Sequence, residues 1–282
     1  VLSFGAEITG CPFVAKQIHV SPWRFDDARN TALSLVWPEI DMCISLDIDE
    51  YMSENFVDEL KALKRRVPQI NRVNHRFSTI WDAANSTDHW HERIHSRAGY
   101  RWVLPVHEKL ETHDQEFTEW LAHIRMYQKP DLTKSRSSYR PLLEQSVKER
   151  PNIWKSWSFL AGEYAGAGEY DKALDAINSA LSIADSDKAY LQTQLGYFNE
   201  HLGKYQEAEN NFINATFYAP LVREYKVKVA DYLERRGQQA LANVYLVQAS
   251  QITTRTYGYE FDPACWTDEF NHRVEKAKSS QQ

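Results

Sequence analysis

The sequence predicts an α/β domain followed by an all-α superhelix of repeated helical hairpins. Three observations predict it. Up to about residue 150, short β-type runs alternate with amphipathic helical ones. Beyond that point the chain repeats itself every 34 to 35 residues. Between the two lies a polar, helix-prone stretch, 131–152, that reads as a linking helix. Alternating strand and helix signals mean a sheet covered by helices, whereas a repeat of this period means stacked helix pairs.

In order along the chain, QIHV at 17–20 and DMCISL at 41–46 read as strands. Asp26 to Val36 reads as a helix, its acidic start (Asp26, Asp27) facing the positive end of the macrodipole. Ser53 is the expected cap of a second helix, with Phe56, Leu60 and Leu63 on one apolar stripe. From 70 to 127 the runs RVNHRFSTIW, YRWVLPV and FTEWLAHIRMY are β-rich. Pro141 sits within the linking helix and marks its start or a kink.

Three copies of a helical hairpin cover 153–252. Gly168, Gly203 and Gly237 stand where two antiparallel helices must turn. Ala173, Ala208 and Ala242 stand where the helices approach closely and only a small side chain fits. Leu160, Leu195 and Val229 fill the inner slot of the first helix; Ala180, Ala215 and Ala249 fill that of the second. Trp157, Tyr164, Tyr170 and Pro220 fall at matching places, and the whole pattern resembles the tetratricopeptide repeat. Stacked hairpins of this kind make a concave surface suited to a protein or peptide partner. The inner positions carry Ser158, Gly162, Thr193, Tyr197, Val227 and Asp231, without the Lys and Asn that grip a C-terminal carboxylate. The segment 253–282 is expected to cap the open face of the last repeat.

Composition excludes several function classes. The 282 residues carry a net charge of −6 with mixed signs, which argues against a nucleic-acid binder. No run approaches the ~18 apolar residues of a membrane span. The three cysteines (Cys11, Cys43, Cys265) are odd in number and far apart, so neither a disulfide framework nor a zinc ribbon is indicated, and a cytoplasmic setting is the default. His91-Glu92-Arg93-Ile94-His95 spells HExxH, which on a helix would bind zinc with Glu92 as base. Its flanks do not make a long amphipathic helix, and the extended form fails at Ala98 and Arg101.

The sharpest chemical feature is CISLDIDEYMS at 43–53. In an extended segment Asp47 and Asp49 point the same way, presenting two carboxylates at a strand end. Paired carboxylates repel unless a cation lies beside them, and oxygen ligands suit Mg²⁺ or Mn²⁺. About twenty residues earlier stands PWRFDDARNTAL, 22–33. Further on come Arg93, Gly99-Tyr100-Arg101-Trp102, Val106-His107-Glu108 and Ala122-His123. This order resembles the family 2 glycosyltransferases of GT-A (Rossmann-like) fold, in the subset with C-terminal tetratricopeptide repeats.

The resemblance implies a metal-assisted enzyme that moves a sugar, with inversion, from a nucleotide-diphosphate donor to a protein, peptide or glycan acceptor. Asp47 would contact the ribose or diphosphate, and Asp49 would bind the metal, with Asp47 and His107 as further metal contacts. Arg29 and Asn30 would shape the nucleotide pocket, directly or by fixing a loop, and Glu108 would be the general base. Trp81, Trp90 and Trp102 are candidates to line a sugar cleft, with core packing as the competing reading. Residues 1–14 leave too little chain for the strand, helix and strand that such enzymes carry upstream, so the domain at 1–130 is expected to be incomplete at its N-terminus and the natural chain to extend beyond Val1. The alternative is a non-catalytic scaffold: a degenerate transferase fold whose repeats bind partners.

Overall fold

The structure, a computed structural model, describes residues 15–80, 86–130, 139–255 and 261–280. The chain divides into two compact units. One comprises the chain up to His75 with His91–Ile124; the other comprises Arg76–Trp90 with the chain from Arg125 onward.

In the first unit, helix α1 (Phe25–Ser34) precedes strands β1 (Met42–Ile44) and β2 (Glu50–Met52), then helix α2 (Phe56–Arg66). Strands β3 (Arg72–Ile80), β4 (Ser86–Ser96) and β7 (Thr118–Gln128) complete a five-stranded sheet of order β1-β4-β3-β7-β2. Strands β5 (Tyr100–Val103) and β6 (Lys109–Thr112) form a separate antiparallel hairpin, with Tyr100 opposite Thr112 and Val103 opposite Lys109. The division between the units crosses β3, β4 and β7. Leu63, Ile70, Val73, Ile94 and Ile124 are buried together, with Phe56 and Leu60 packed against them, so the predicted α2 stripe faces the sheet core.

Two local expectations are corrected. Residues 17–20 are irregular and largely exposed, because β-propensity without a neighbouring strand to pair does not make a strand. Helix α2 is preceded not by a Ser53 cap but by Asn55, at φ 65° and with no side-chain cap bond. A turn at 54–55 absorbs those residues, and Asn tolerates the left-handed conformation better than most.

The second unit holds helices α3 (Tyr139–Glu149), α4 (Trp154–Gly166), α5 (Tyr170–Ile183), α6 (Lys188–His201), α7 (Tyr205–Tyr218), α8 (Arg223–Arg235) and α9 (Gln239–Ser250). A 3₁₀ turn (Pro263–Trp266) and helix α10 (Asp268–Ser279) follow. Each successive pair of helices from α3 to α10 packs together. Pro141 lies in the first turn of α3, where a missing N–H costs nothing. The three hairpin glycines adopt φ of +77°, +72° and +73°, the left-handed turn that L residues resist. Ala173, Ala208 and Ala242 are fully buried, as are Ala180 and Ala249. This is a helical-repeat unit that fits the tetratricopeptide pattern. Phe270, Val274 and Ala277 of α10 join the core of the last hairpin, so the C-terminal helix does cover its apolar face. Arg223 anchors this cover: its guanidinium donates to Ile252 O and Cys265 O and stacks on the Trp266 ring at 3.8 Å. Among the described residues no helix is long and apolar enough to cross a membrane.

Candidate functional site

The α1 helix, the end of β1, strand β4 and the β5–β6 loop bring the candidate residues of the first unit to one place. Antiparallel pairing sets Cys43 opposite His95 and Ile44 opposite Ile94, and Ser45 N–H donates to Arg93 O at 3.1 Å. Beyond Ile44 the chain leaves the ladder, and Asp47 lies beside the Arg93 side chain, whose Nη1 is 3.3 Å from Asp47 Oδ2. At the other side, Phe25 N–H donates to Pro105 O at 2.9 Å and ties the start of α1 to the β5–β6 loop. That loop holds Leu104 at φ 82° and His107 at φ 51°, two non-glycine residues in the left-handed region. Such conformations cost about 1–3 kcal/mol each and concentrate at functional loops.

Asp47 and Asp49 do not alternate along a strand. Strand β1 ends at Ile44, and Asp47–Glu50 is a turn closed by Glu50 N–H donating to Asp47 O at 3.0 Å. Ile48 at its apex is 98% exposed. The pairing expected from strand geometry is therefore replaced by a turn in which Asp47 is the first residue and Asp49 the third.

Arg29 is the hub. Its Nη2 lies 3.0 Å from Asp47 Oδ1 and 3.2 Å from Oδ2, and its Nε donates to Glu108 Oε1. The guanidinium also sits 5.1 Å from the centre of the Trp102 ring. Burial works against its charge, yet Glu108 and Asp47 outweigh burial and hold Arg29 above its usual range. Arg93 Nη1 donates to Glu50 Oε2 at 2.6 Å and to Asp47 Oδ2 at 3.3 Å. Two cations thus meet three carboxylates. The motif pattern nominates Arg29, Asp47 and Glu108 but gives no role to Glu50, one letter of the run CISLDIDEYMS. Burial pushes the Glu50 carboxyl above the usual carboxylate range, while Arg93 and the Asp47 N–H pull the other way.

Asn30 has a different place. Its amide donates to Trp102 O at 2.8 Å and accepts from Trp102 N at 2.9 Å, bracing α1 against β5. Asn30 also lines an open cleft of ≈ 690 Å³, together with Asp27, Thr31 and Ser34 of the same helix and with His19, Ser21, Tyr100 and Arg101. Arg29 does not border this cleft; it faces the carboxylates instead.

Trp102 is buried in the hairpin core with Tyr100 and Leu110, where it packs as core, whereas Trp90 is 37% exposed and carries Arg76 over its ring. Trp81 lies outside the described residues. The HExxH residues lie on β4, not on a helix. Four residues of strand separate His91 and His95 by about 13 Å, too far to share one ion. His95 is fully buried between the Tyr100 and Trp102 rings. Among the described residues no group of three or more His, Cys, Asp or Glu could hold a metal unaided. Both Asp47 carboxylate oxygens are already engaged by Arg29, and Arg93 reaches Oδ2 as well.

No protein-family model and no curated protein matches the chain. Among solved structures, the chain is similar to a crystal structure of MamA at 16% identity over 51% of this chain and 88% of that one, with a TM-score of 0.38. Two further MamA structures, MSR-1 and AMB-1, match at 22% identity over 41% and 43% of this chain, and 66% and 70% of theirs, with TM-scores of 0.36 and 0.37.

Proposed function

We propose that the chain couples a protein-interaction module, the helical repeats, to a GT-A-like sugar-transfer site in the first unit. The observation that carries the transfer reading is convergence. Arg29, Asp47 and Glu108, singled out by motif and separated by 18 and 79 positions from Arg29, meet in one ion-paired cluster. A resemblance of letters alone gives no reason for three distant residues to touch.

On this reading the donor is a nucleotide-diphosphate sugar and the acceptor a hydroxyl of a protein, peptide or glycan. Arg29 and Arg93 supply positive charge beside the diphosphate. Asp49, with Asp47 and His107, would hold Mg²⁺ or Mn²⁺, which when bound would offset charge on the diphosphate. The acceptor oxygen attacks the anomeric carbon from the face opposite the diphosphate, its proton passes to the Glu108 carboxylate, and the carbon–oxygen bond to the diphosphate breaks. One displacement inverts the anomeric centre. The repeats present a protein partner, as the concave face of stacked hairpins does generally.

A second reading is the non-catalytic scaffold. It is favoured by the same ion pairs: Asp47 and Glu108 are both already engaged by Arg29, as in a cluster kept for structure. Calorimetric titration with uridine, guanosine, adenosine and thymidine diphosphates, each with Mn²⁺, separates the two. Binding that needs Mn²⁺ and disappears in Asp49→Ala, with the fold intact, is the expected result. No binding of any of them, or full binding by Asp49→Ala, leaves the scaffold.

A further inference from the structure

We infer that the end face of the last hairpin, which the chain's own α10 covers, is a docking surface for a partner's amphipathic helix, and that α10 is its displaceable occupant. This rests on the reading of the repeats as a protein-binding module and needs nothing of the sugar-transfer site.

The cover is itself an amphipathic helix laid on an apolar face. Phe270, Val274 and Ala277 stand at i, i+4 and i+7 of α10 and are buried in one core with Val229 and Leu233 of α8 and Leu246 and Ala249 of α9. The rim of that face is acidic. Arg273 Nη2 donates to Asp231 Oδ1 at 2.6 Å and to Glu234 Oε2 at 3.1 Å. The resident helix therefore states the chemistry the surface accepts. An aromatic and an aliphatic residue four apart fill the face, and a cation beside them meets the two acids.

Two features separate α10 from a permanent cap. The first is its connection. Residues 184–187 and 219–222, four in each case, join one hairpin to the first helix of the next. Residues 251–262, twelve in all, join α9 to the 3₁₀ turn ahead of α10. A longer connection lowers the effective concentration of the helix it carries, so an added helix competes with it more readily. The second is what the cover seals. Glu224 is 0% exposed; its Oε1 accepts from Trp266 Nε1 at 2.7 Å, and its Oε2 has no hydrogen-bond partner among the described residues. Arg223 next to it is 8% exposed. An end face that stays closed needs only apolar cover. Burying a carboxylate with one bare oxygen costs free energy, and opening recovers it because water then reaches that oxygen. The cover is thus held less tightly than its apolar contacts alone would hold it.

The test uses the whole chain and a synthetic peptide of residues 261–280 with a fluorophore at its N-terminus, binding being read by anisotropy. Phe270→Ser with Val274→Ser weakens the chain's own cover and leaves the face beneath it intact. That double variant should bind the peptide at least about tenfold more tightly than wild type does. Adding Asp231→Asn and Glu234→Gln should weaken binding about fivefold, since both acids that meet the peptide's Arg273 lose their charge. A folded double variant that binds the peptide no better than wild type overturns the inference, while leaving the inner face of the repeats as a protein-binding surface. Wild type that sediments as a dimer, and as a monomer with Phe270→Ser and Val274→Ser, gives the face to a second copy's α10 and overturns the external partner. If the double variant unfolds, wild type decides. Excess peptide, made with heavy isotopes, should speed amide exchange over the chain's own 268–279 about fivefold or more, and an unchanged rate overturns the inference.

Discussion

Arg29 and Asp47 form a two-point ion pair, with Arg29 Nη2 3.0 Å from Oδ1 and 3.2 Å from Oδ2, and the same guanidinium reaches Glu108 through Nε. One side chain on α1 therefore holds both the β1 turn and the β5–β6 loop. Arg29 and Glu108 are 13% and 11% exposed at their side chains, so the pair is largely withdrawn from water.

Removing Arg29 leaves a mostly buried Glu108 without this partner. Arg29→Met should destabilise the first unit by about 2 kcal/mol, below the ~3–5 kcal/mol of breaking a fully buried pair because Asp47 is half exposed. Arg29→Lys should recover only part, since an ammonium cannot fork to two carboxylates. Urea unfolding followed by Trp fluorescence measures both, and a wild-type midpoint in Arg29→Met would show that the pair carries no stability.

Two glycines of the repeats separate conformational cost from steric cost. Gly203 has φ +72° and open space where a Cβ would stand, so Gly203→Ala should cost about 1 kcal/mol through backbone strain alone. A Cβ on Gly196 would meet the Phe212 ring at 2.9 Å, so Gly196→Ala should cost about 1–3 kcal/mol through overpacking. Gly203→Asn should be milder than Gly203→Ala, because Asn tolerates the left-handed region. Thermal melts of the three variants check the order.

His95 should make the fold sensitive to mild acid. Burial lowers its pKa below the ordinary histidine value, with nearby Arg72 adding to the effect and the Ser96 carbonyl opposing it. The unfolded chain then takes up a proton that the folded chain refuses. Stability attributable to His95 is full above about pH 6.5 and falls as pH drops from there toward its depressed folded value. Melting temperatures between about pH 7.5 and about pH 5 should fall less steeply in His95→Phe than in wild type. Equal slopes would remove His95 as the cause.

Cys265 should be silent to thiol reagents in the folded chain. It is 4% exposed, and burial pushes its thiol up to about 12, with Asp262 and Glu224 adding to the shift. Arg223 holds its carbonyl at 2.8 Å. Arg223→Met should loosen the 3₁₀ turn and raise the labelling rate of Cys265 about tenfold or more, as local opening becomes easier. Peptide mass mapping after timed alkylation distinguishes Cys265 from the half-buried Cys43.

How much was legible in advance differs between the units. The repeats were readable because each hairpin is a local object. A glycine at the turn and small residues at the crossing recur at one period, and each repeat contacts mainly its neighbours. The sheet was readable as alternating strand and helix signals, but QIHV and the Ser53 cap were not, because pairing partners and turn geometry decide those. Within the candidate site, Arg29, Asp47 and Glu108 were visible as motif letters. Glu50 and the bracing role of Asn30 were not, since a buried carboxylate at the end of a turn reads in sequence like any surface acid.

By itself the sequence determined the order of the parts: α/β elements, a linking helix, three hairpins and a capping helix. Hydrophobic period and small-residue spacing fix these locally. Only the tertiary structure decided which charges meet. Pairing of β1 with β4 sets Arg93 opposite Ser45, from where its side chain reaches Asp47, and the tie from Phe25 to Pro105 holds α1 next to the loop that carries Glu108. Ion pairing depends on distances of a few ångströms between residues far apart in the chain, and those distances exist only once strands and helices have been docked.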